Sequence, residues 1–148
     1  YAIYNNTLWE QFAGEYNYIY NEYKPYSITF ISNAEEPVDK IFNTIEYRAD
    51  RWDNNLLVNK SPFNKLEVWN EYQKGVTSLD VNIAKPSPLK RKFRVWRTTV
   101  PRFNTDWNGI KANNRDRIRN TWAYIKLSNT EDNTNRAEIH DAIVHYFI

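Results

Sequence analysis

The 148-residue sequence predicts a mainly β protein: an antiparallel sheet or sandwich of about six or seven strands with long polar loops, completed by strands of other chains. Three observations predict it. Aromatic residues make up 16% of the chain although mean hydropathy is −0.80, and rings that pack on one side while their tips stay wet suit pleated sheets and interfaces. Short runs alternate bulky with polar side chains between clusters of Pro, Asn and Asp. Helical periodicity is weak, and the longest competitor, Asn6 to Phe12, lacks a full apolar stripe.

The elements follow in order. Tyr26 to Ile31 carries β-branched residues between Pro25 and the breakers Asn33 to Pro37, and reads as a strand. Val38 to Ala49 follows, with Ile41, Ile45 and Tyr47 on one face and Phe42, Thr44, Glu46 and Arg48 on the other. Only Asn43 spoils the apolar face. Asp53, Asn54 and Asn55 form a turn cluster, and Ser61-Pro62 a loop. Lys65 to Tyr72 places Leu66 and Val68 on one side and Glu67, Trp69 and Glu71 on the other, with Lys74-Gly75 closing it. Val76 to Ile83 is a weaker strand, and Lys85 to Pro88 a connector. Lys90 to Val100 reads as one long strand stopped by Pro101. Arg102 to Asn120 is polar and reads as loop with one helical turn. Thr121 to Leu127 alternates Ala123, Ile125 and Leu127 inward with Trp122, Tyr124 and Lys126 outward; Ser128 to Arg136 is a polar loop. Ile139 to Ile148 is apolar on both faces, as a central or doubly covered strand is. Residues 1–148 make a single β-rich domain, with 1–24 a candidate extended docking segment.

Composition narrows the chemistry. Zero Cys removes disulfides, zinc-thiolate clusters and thiol nucleophiles. A net charge of +2, from 20 basic and 18 acidic side chains, is too balanced to imply nucleic-acid binding by itself. The first residues have neither the basic nor the apolar region of a signal peptide, no apolar run is long enough to span a bilayer, and no membrane anchor is expected. The chain starts at Tyr1 and contains no Met, so cleavage from a longer precursor is expected, a deliberately trimmed chain being the alternative.

No catalytic, cofactor-binding or metal-ligating residues are assigned. His140 and His145 flank Asp141, but residues five apart on a regular strand point to opposite faces and cannot share an ion. Gly14, Gly75 and Gly109 are isolated, so no phosphate-cradling loop is formed. Carboxylate pairs at 35–36 and 131–132 sit in loops as solvated acids. In Lys90 to Arg97 one face carries Lys90, Lys92, Arg94 and Trp96, so Lys90, Lys92 and Arg94 are candidates for a transient nucleic-acid contact, against the plainer reading of a charged, soluble edge strand. Arg115, Arg117 and Arg119, interleaved with Asp116, read as an interface clamp, since Arg forks fix contacts. Packing and interface candidates are Trp52, Trp69, Trp96, Trp122, Tyr124 and Phe147. The alternative is a carbohydrate- or nucleic-acid-binding β-sandwich with Trp96, Trp107 and Arg94 as its platform. A hydrolase with convergent carboxylates comes third.

Several blocks occur together: Tyr26 to Asn33, Asp39 to Phe42, Ile45 to Asp50, Phe63, Trp69 to Gln73, Lys92 to Arg97, Ile118 to Ile125 and Val144 to Ile148. Over about residues 9 to 148 the chain resembles the C-terminal region of the tail muzzle, or stabilization, proteins of crAss-like bacteriophages. The resemblance implies a non-catalytic virion component at the distal end of a short tail, with no cofactor. Its implied partners are the N-terminal remainder of its own precursor, other copies in a ring around the DNA exit channel (a hexamer being compatible), and other phage tail proteins. None of the matching blocks is a catalytic signature.

Overall fold

The computed structural model describes residues 1–10, 14–35, 37–79, 89–103, 116–130 and 135–148. Among them there are fourteen strands and no helix. In chain order these are β1 (Ala2–Tyr4), β2 (Thr7–Trp9), β3 (Tyr18–Ile19), β4 (Glu22–Tyr23), β5 (Ser27–Ser32), β6 (Lys40–Asp53) and β7 (Leu56–Val58). β8 (Lys65–Trp69), β9 (Lys74–Ser78), β10 (Lys90–Lys92), β11 (Val95–Thr99), β12 (Arg119–Asn120), β13 (Ala123–Ser128) and β14 (Arg136–Phe147) complete the set. All pairings are antiparallel.

Two sheets form the body. The larger is built on β6, the longest strand, which is paired on both edges: Ile41 faces Arg119 and Phe147, Tyr47 faces Trp96 and Ala142, and Trp52 faces Leu57 and Arg136. Strand β14 thus runs along one edge, and β12, β11 and β7 share the other. The second sheet has the order β5-β13-β8-β9. Their inner faces meet in one core, with Phe42, Ile45, Tyr47 and Trp96 from the first against Leu66, Val68, Ala123, Ile125 and Leu127 from the second. The expected inward residues of β8 and β13 are therefore where the alternation put them.

Strand β6 departs from simple alternation, and the reason is a bulge. Thr44 pairs with His145 and Phe42 with Tyr146, leaving Asn43 as an extra residue on β6. Lys40 and Phe42 point inward before it, and Ile45, Tyr47 and Ala49 after it. Phe42 thus belongs to the core and not to the polar face. A second bulge at His140 does the same to β14: Ile139 packs on the core, then Ala142, Val144 and Tyr146. This explains why Ile139 to Ile148 looked apolar on both faces. β14 is not a central strand; among the described residues it pairs only with β6, and Ile143 and Phe147 are exposed.

Four hairpins turn in two residues of left-handed conformation, at Asn5-Asn6, Tyr20-Asn21, Asn54-Asn55 and Phe93-Arg94. This is the backbone that matches strand twist, and Asn tolerates it. The predicted turn at 53–55 is thus found, while the N-terminal segment forms two hairpins, β1-β2 and β3-β4, where extended chain was expected. Lys90 to Val100 is a hairpin and not one strand, because Phe93 and Arg94 (φ 51 and 64) reverse the chain without any Gly or Asn to mark it. Asn6 to Phe12 begins with β2, and its last two residues lie outside the described residues, as do Lys85 to Pro88 and the greater part of Arg102 to Asn120.

Lys74-Gly75 opens β9 instead of closing β8; the turn is Asn70 to Gln73, where the Asn70 carboxamide oxygen accepts from the Tyr72 and Gln73 amides at 2.8 and 2.9 Å. Gly75 is there because a Cβ would lie 2.5 Å from the Pro101 carbonyl oxygen.

Two predictions follow from these contacts. Gly75→Ala should lower stability by about 1–3 kcal/mol in urea unfolding, since the obstacle is backbone; a wild-type midpoint would refute the close approach. Replacing Phe93-Arg94 by Asn-Gly should raise stability by about 1–2 kcal/mol by relieving two left-handed non-preferred residues. An unchanged or lower midpoint would contradict that turn.

Candidate functional site

The outer face of the β6-β14 ribbon carries a ladder of opposite charges. Glu46, Arg48 and Asp50 alternate outward on β6 once the Asn43 bulge has set the phase. Arg48 Nε donates to both Asp141 carboxylate oxygens at 2.9 Å. That guanidinium holds the Asp141 carboxyl below the ordinary aspartate range, and Arg48 is raised in return. His140 Nε2 lies 3.1 Å from Asp50, and His145 Nε2 lies 3.5 Å from Glu46. Arg97 reaches Glu46 at 3.1 Å and Arg91 reaches Asp50 at 3.7 Å. The bulge at His140 brings both histidines to the outer face, so the expectation that they point to opposite faces is corrected. Each has its own carboxylate, and among the described residues no group of three or more His, Asp or Glu is arranged to hold a metal ion.

The outer face of the second sheet is aromatic. Trp69 and Tyr124, paired across β8 and β13, stack with ring centroids 5.3 Å apart, and Trp122 meets Tyr124 edge-on at 5.0 Å. Beside them Glu67 is approached by Lys65 and Lys74, each at 3.5 Å. Ile31 of the edge strand β5, opposite Tyr124, is exposed.

The other candidates fall elsewhere. Trp52 lies under the Arg136 guanidinium, 4.2 Å from its ring centre. Trp96 is only 5% exposed, donates Nε1–H to the Ala49 carbonyl at 3.3 Å and stacks with Arg91, so it cannot serve as an open platform. Trp107 and Arg115 lie outside the described residues. Phe147 is half-exposed on β14. Lys90 and Lys92 are exposed on β10 and Arg94 sits in the turn, so the three gather at one hairpin tip, although Trp96 turns away into the core. Phe93, at 86% exposure, stands among them with Lys92 Nζ 5.3 Å from its ring centre. Sequence reasoning missed this aromatic tip and the Arg48–Asp141 pair. Both depend on turns or bulges that shift the strand phase.

In the N-terminal hairpins Tyr4 stacks on Tyr20 at 4.3 Å and Trp9 meets Tyr20 edge-on. The Asn17 side chain ties the segment to the body through the Asn135 carbonyl at 2.8 Å, while Ile3, Leu8 and Ile19 remain exposed.

These features define an all-β domain whose histidines and acids are largely engaged with one another and whose exposed rings and aliphatics lie on strands and hairpins. A family model described as the Crassvirus muzzle protein C-terminal domain matches residues 14–103. Over 147 residues, 99% of the chain, it is 58% identical to the "Muzzle protein" of Bacteroides phage crAss001. The chain belongs to the crassvirus muzzle protein C-terminal domain family. It spans 10% of the length of that curated relative. A structural component of a phage is the reading this membership supports.

The Asp141 shift makes an acid-dependence prediction. Because its folded pKa lies below the unfolded value, the pair stabilises the fold above the ordinary aspartate pKa of about 3.9 and loses that contribution as pH falls through the folded pKa. Asp141→Asn should therefore lower the thermal midpoint near neutrality and narrow its gap to wild type in acid. A gap independent of pH would contradict the pairing.

Proposed function

We propose that this chain is a non-catalytic structural part of a short phage tail, the C-terminal portion of a muzzle protein cleaved from a longer precursor. In this reading it stays bound to the remainder of that precursor and sits with other copies in a ring around the DNA exit channel, against further tail proteins. Its localisation is then the virion tail.

The observation that carries the reading is β14. It is a 12-residue strand, paired on one edge among the described residues, with Ile143 at 51% and Phe147 at 52% exposure on its outer face. Open edges and exposed apolar side chains invite strand addition and packing by a neighbour. The hairpins of residues 1–24, with Ile3 at 78% exposure, serve as the docking segment. The bulges and the charged ladder limit which strand can add, which favours a specific partner over indiscriminate aggregation.

A second, compatible reading is a transient DNA contact at the hairpin tip, favoured by Phe93 standing among Lys90, Lys92 and Arg94. Exchanging Lys92 and Arg94 for Ser should abolish any salt-dependent DNA binding assigned to that tip.

Sedimentation velocity tests the assembly reading. The isolated chain should fold and self-associate at micromolar concentration, and a cooperatively folded monomer throughout that range would contradict it. Intact-mass analysis of particles should find this segment on a fragment shorter than the whole precursor; an uncut precursor alone would refute the processing.

A further inference from the structure

Gln73, Arg102, Asp116, Arg117 and Arg119 line a cavity of about 470 Å3 beside the β8-β9 turn. Among the described residues, three guanidiniums and one carboxylate give this lining a formal charge of +2 (three minus one). Guanidinium does not deprotonate in proteins, so the repulsion cannot be relieved by losing a proton. Something must hold these residues near one another, and the backbone around them shows what does.

The Gln73 side chain accepts from the Arg119 amide at 2.9 Å and donates to the Arg117 carbonyl at 2.9 Å. Asn70, whose oxygen caps the same turn, donates to the Arg119 carbonyl at 3.3 Å. Residues 117–119 are thus stitched to the turn by two side chains. Arg102 is brought in from the other side, because Gly75 lets the Pro101-Arg102 backbone press against β9, and the Phe103 amide then donates to the Asp116 carbonyl at 2.9 Å. Arg117 is steadied by the Asn43 carboxamide at 3.3 Å. Four separate devices therefore position three like charges around one concave site.

We infer that this cavity is a binding site for a phosphate group, carried as a monoester or diester. A carboxylate offers two coplanar oxygens and is satisfied by one bidentate Arg, whereas a phosphate presents two terminal oxygens as a diester and three as a monoester in a tetrahedral array, and can engage guanidinium forks from more than one side. A cavity of this size with a net positive lining accepts the larger, tetrahedral oxyanion. The site is separate from the Phe93 hairpin, and the inference rests on these five residues and not on the assembly reading.

Site-resolved NMR titration of the full chain tests it, with inorganic phosphate and a short oligothymidylate as probes at constant ionic strength. Saturable shifts at the Gln73 side-chain amide and the Arg117 and Arg119 amides are expected with phosphate and not with chloride. The double variant Arg117→Gln/Arg119→Gln should weaken binding by about tenfold or more. Should that variant lose its fold by circular dichroism, Arg119→Lys, which keeps charge but loses the fork, should still weaken binding severalfold. Tighter binding of oligothymidylate than of phosphate assigns the group to nucleic acid; equal binding assigns it to free phosphate. Absence of saturable phosphate shifts, an unaffected Arg variant, or tighter binding of a polyglutamate peptide than of either probe would overturn the inference.

Discussion

The double pairing of β6 is the constraint on which the rest of the structure depends. A 14-residue strand with neighbours along both edges can satisfy its backbone only if its side-chain phase suits the core at both ends. A regular strand of this sequence would bury either Phe42 or Ile45 and Tyr47, never all three. The extra residue at Asn43 resolves the conflict. Val100 donates its amide to the Asn43 carbonyl at 2.9 Å, so the bulge is held from the β11 side as well. At the strand's start Lys40 is fully buried with no carboxylate partner among the described residues; its ammonium donates to the Val38 and Thr121 carbonyls and faces the Tyr146 ring at 5.7 Å. This links the beginning of β6 both to the approach to β13 and to β14.

Much of the second sheet was legible in the sequence because its strands keep strict period two. Ala123, Ile125 and Leu127 alternate with wet partners, and Leu66 and Val68 do the same, so their faces could be assigned without coordinates. The larger sheet was legible in extent but not in phase. A bulge leaves almost no mark on composition, and only the misplaced Asn43 hinted at one. The turn at Phe93-Arg94 was illegible for a related reason: neither residue is one that left-handed turns prefer. The same Asn-Asn signal that marked 54–55 was present at 5–6 and could have revealed the first hairpin.

The candidate site was read less well than the fold. The tryptophans were read as packing and interface residues, but which face each one takes depends on phase, and Trp96 lies in the core. The two histidines were judged by regular-strand geometry, and the His140 bulge changed their relation. The Arg117 and Arg119 pattern was visible in the sequence, whereas its convergence with Arg102 needed the β9 contact at Gly75. Long-range contacts of this kind have no local signal.

The fold, the ion-pair ladder and the exposed edge all descend from the phase set at Asn43. Were Asn43 paired as an ordinary residue of a regular strand with Phe42 inward, Glu46, Arg48 and Asp50 would turn inward and β14 would lose its counterpart charges. Deleting Asn43 and following chemical denaturation is therefore the most direct test. Cooperative unfolding should be retained, because removing the one extra residue leaves Phe42, Ile45 and Tyr47 on the same face of a regular strand. Deleting Glu46 instead should lower the midpoint, because either Ile45 or Tyr47 must then leave the core. Loss of cooperative unfolding on deleting Asn43, or a wild-type midpoint on deleting Glu46, would contradict this account of the strand's phase.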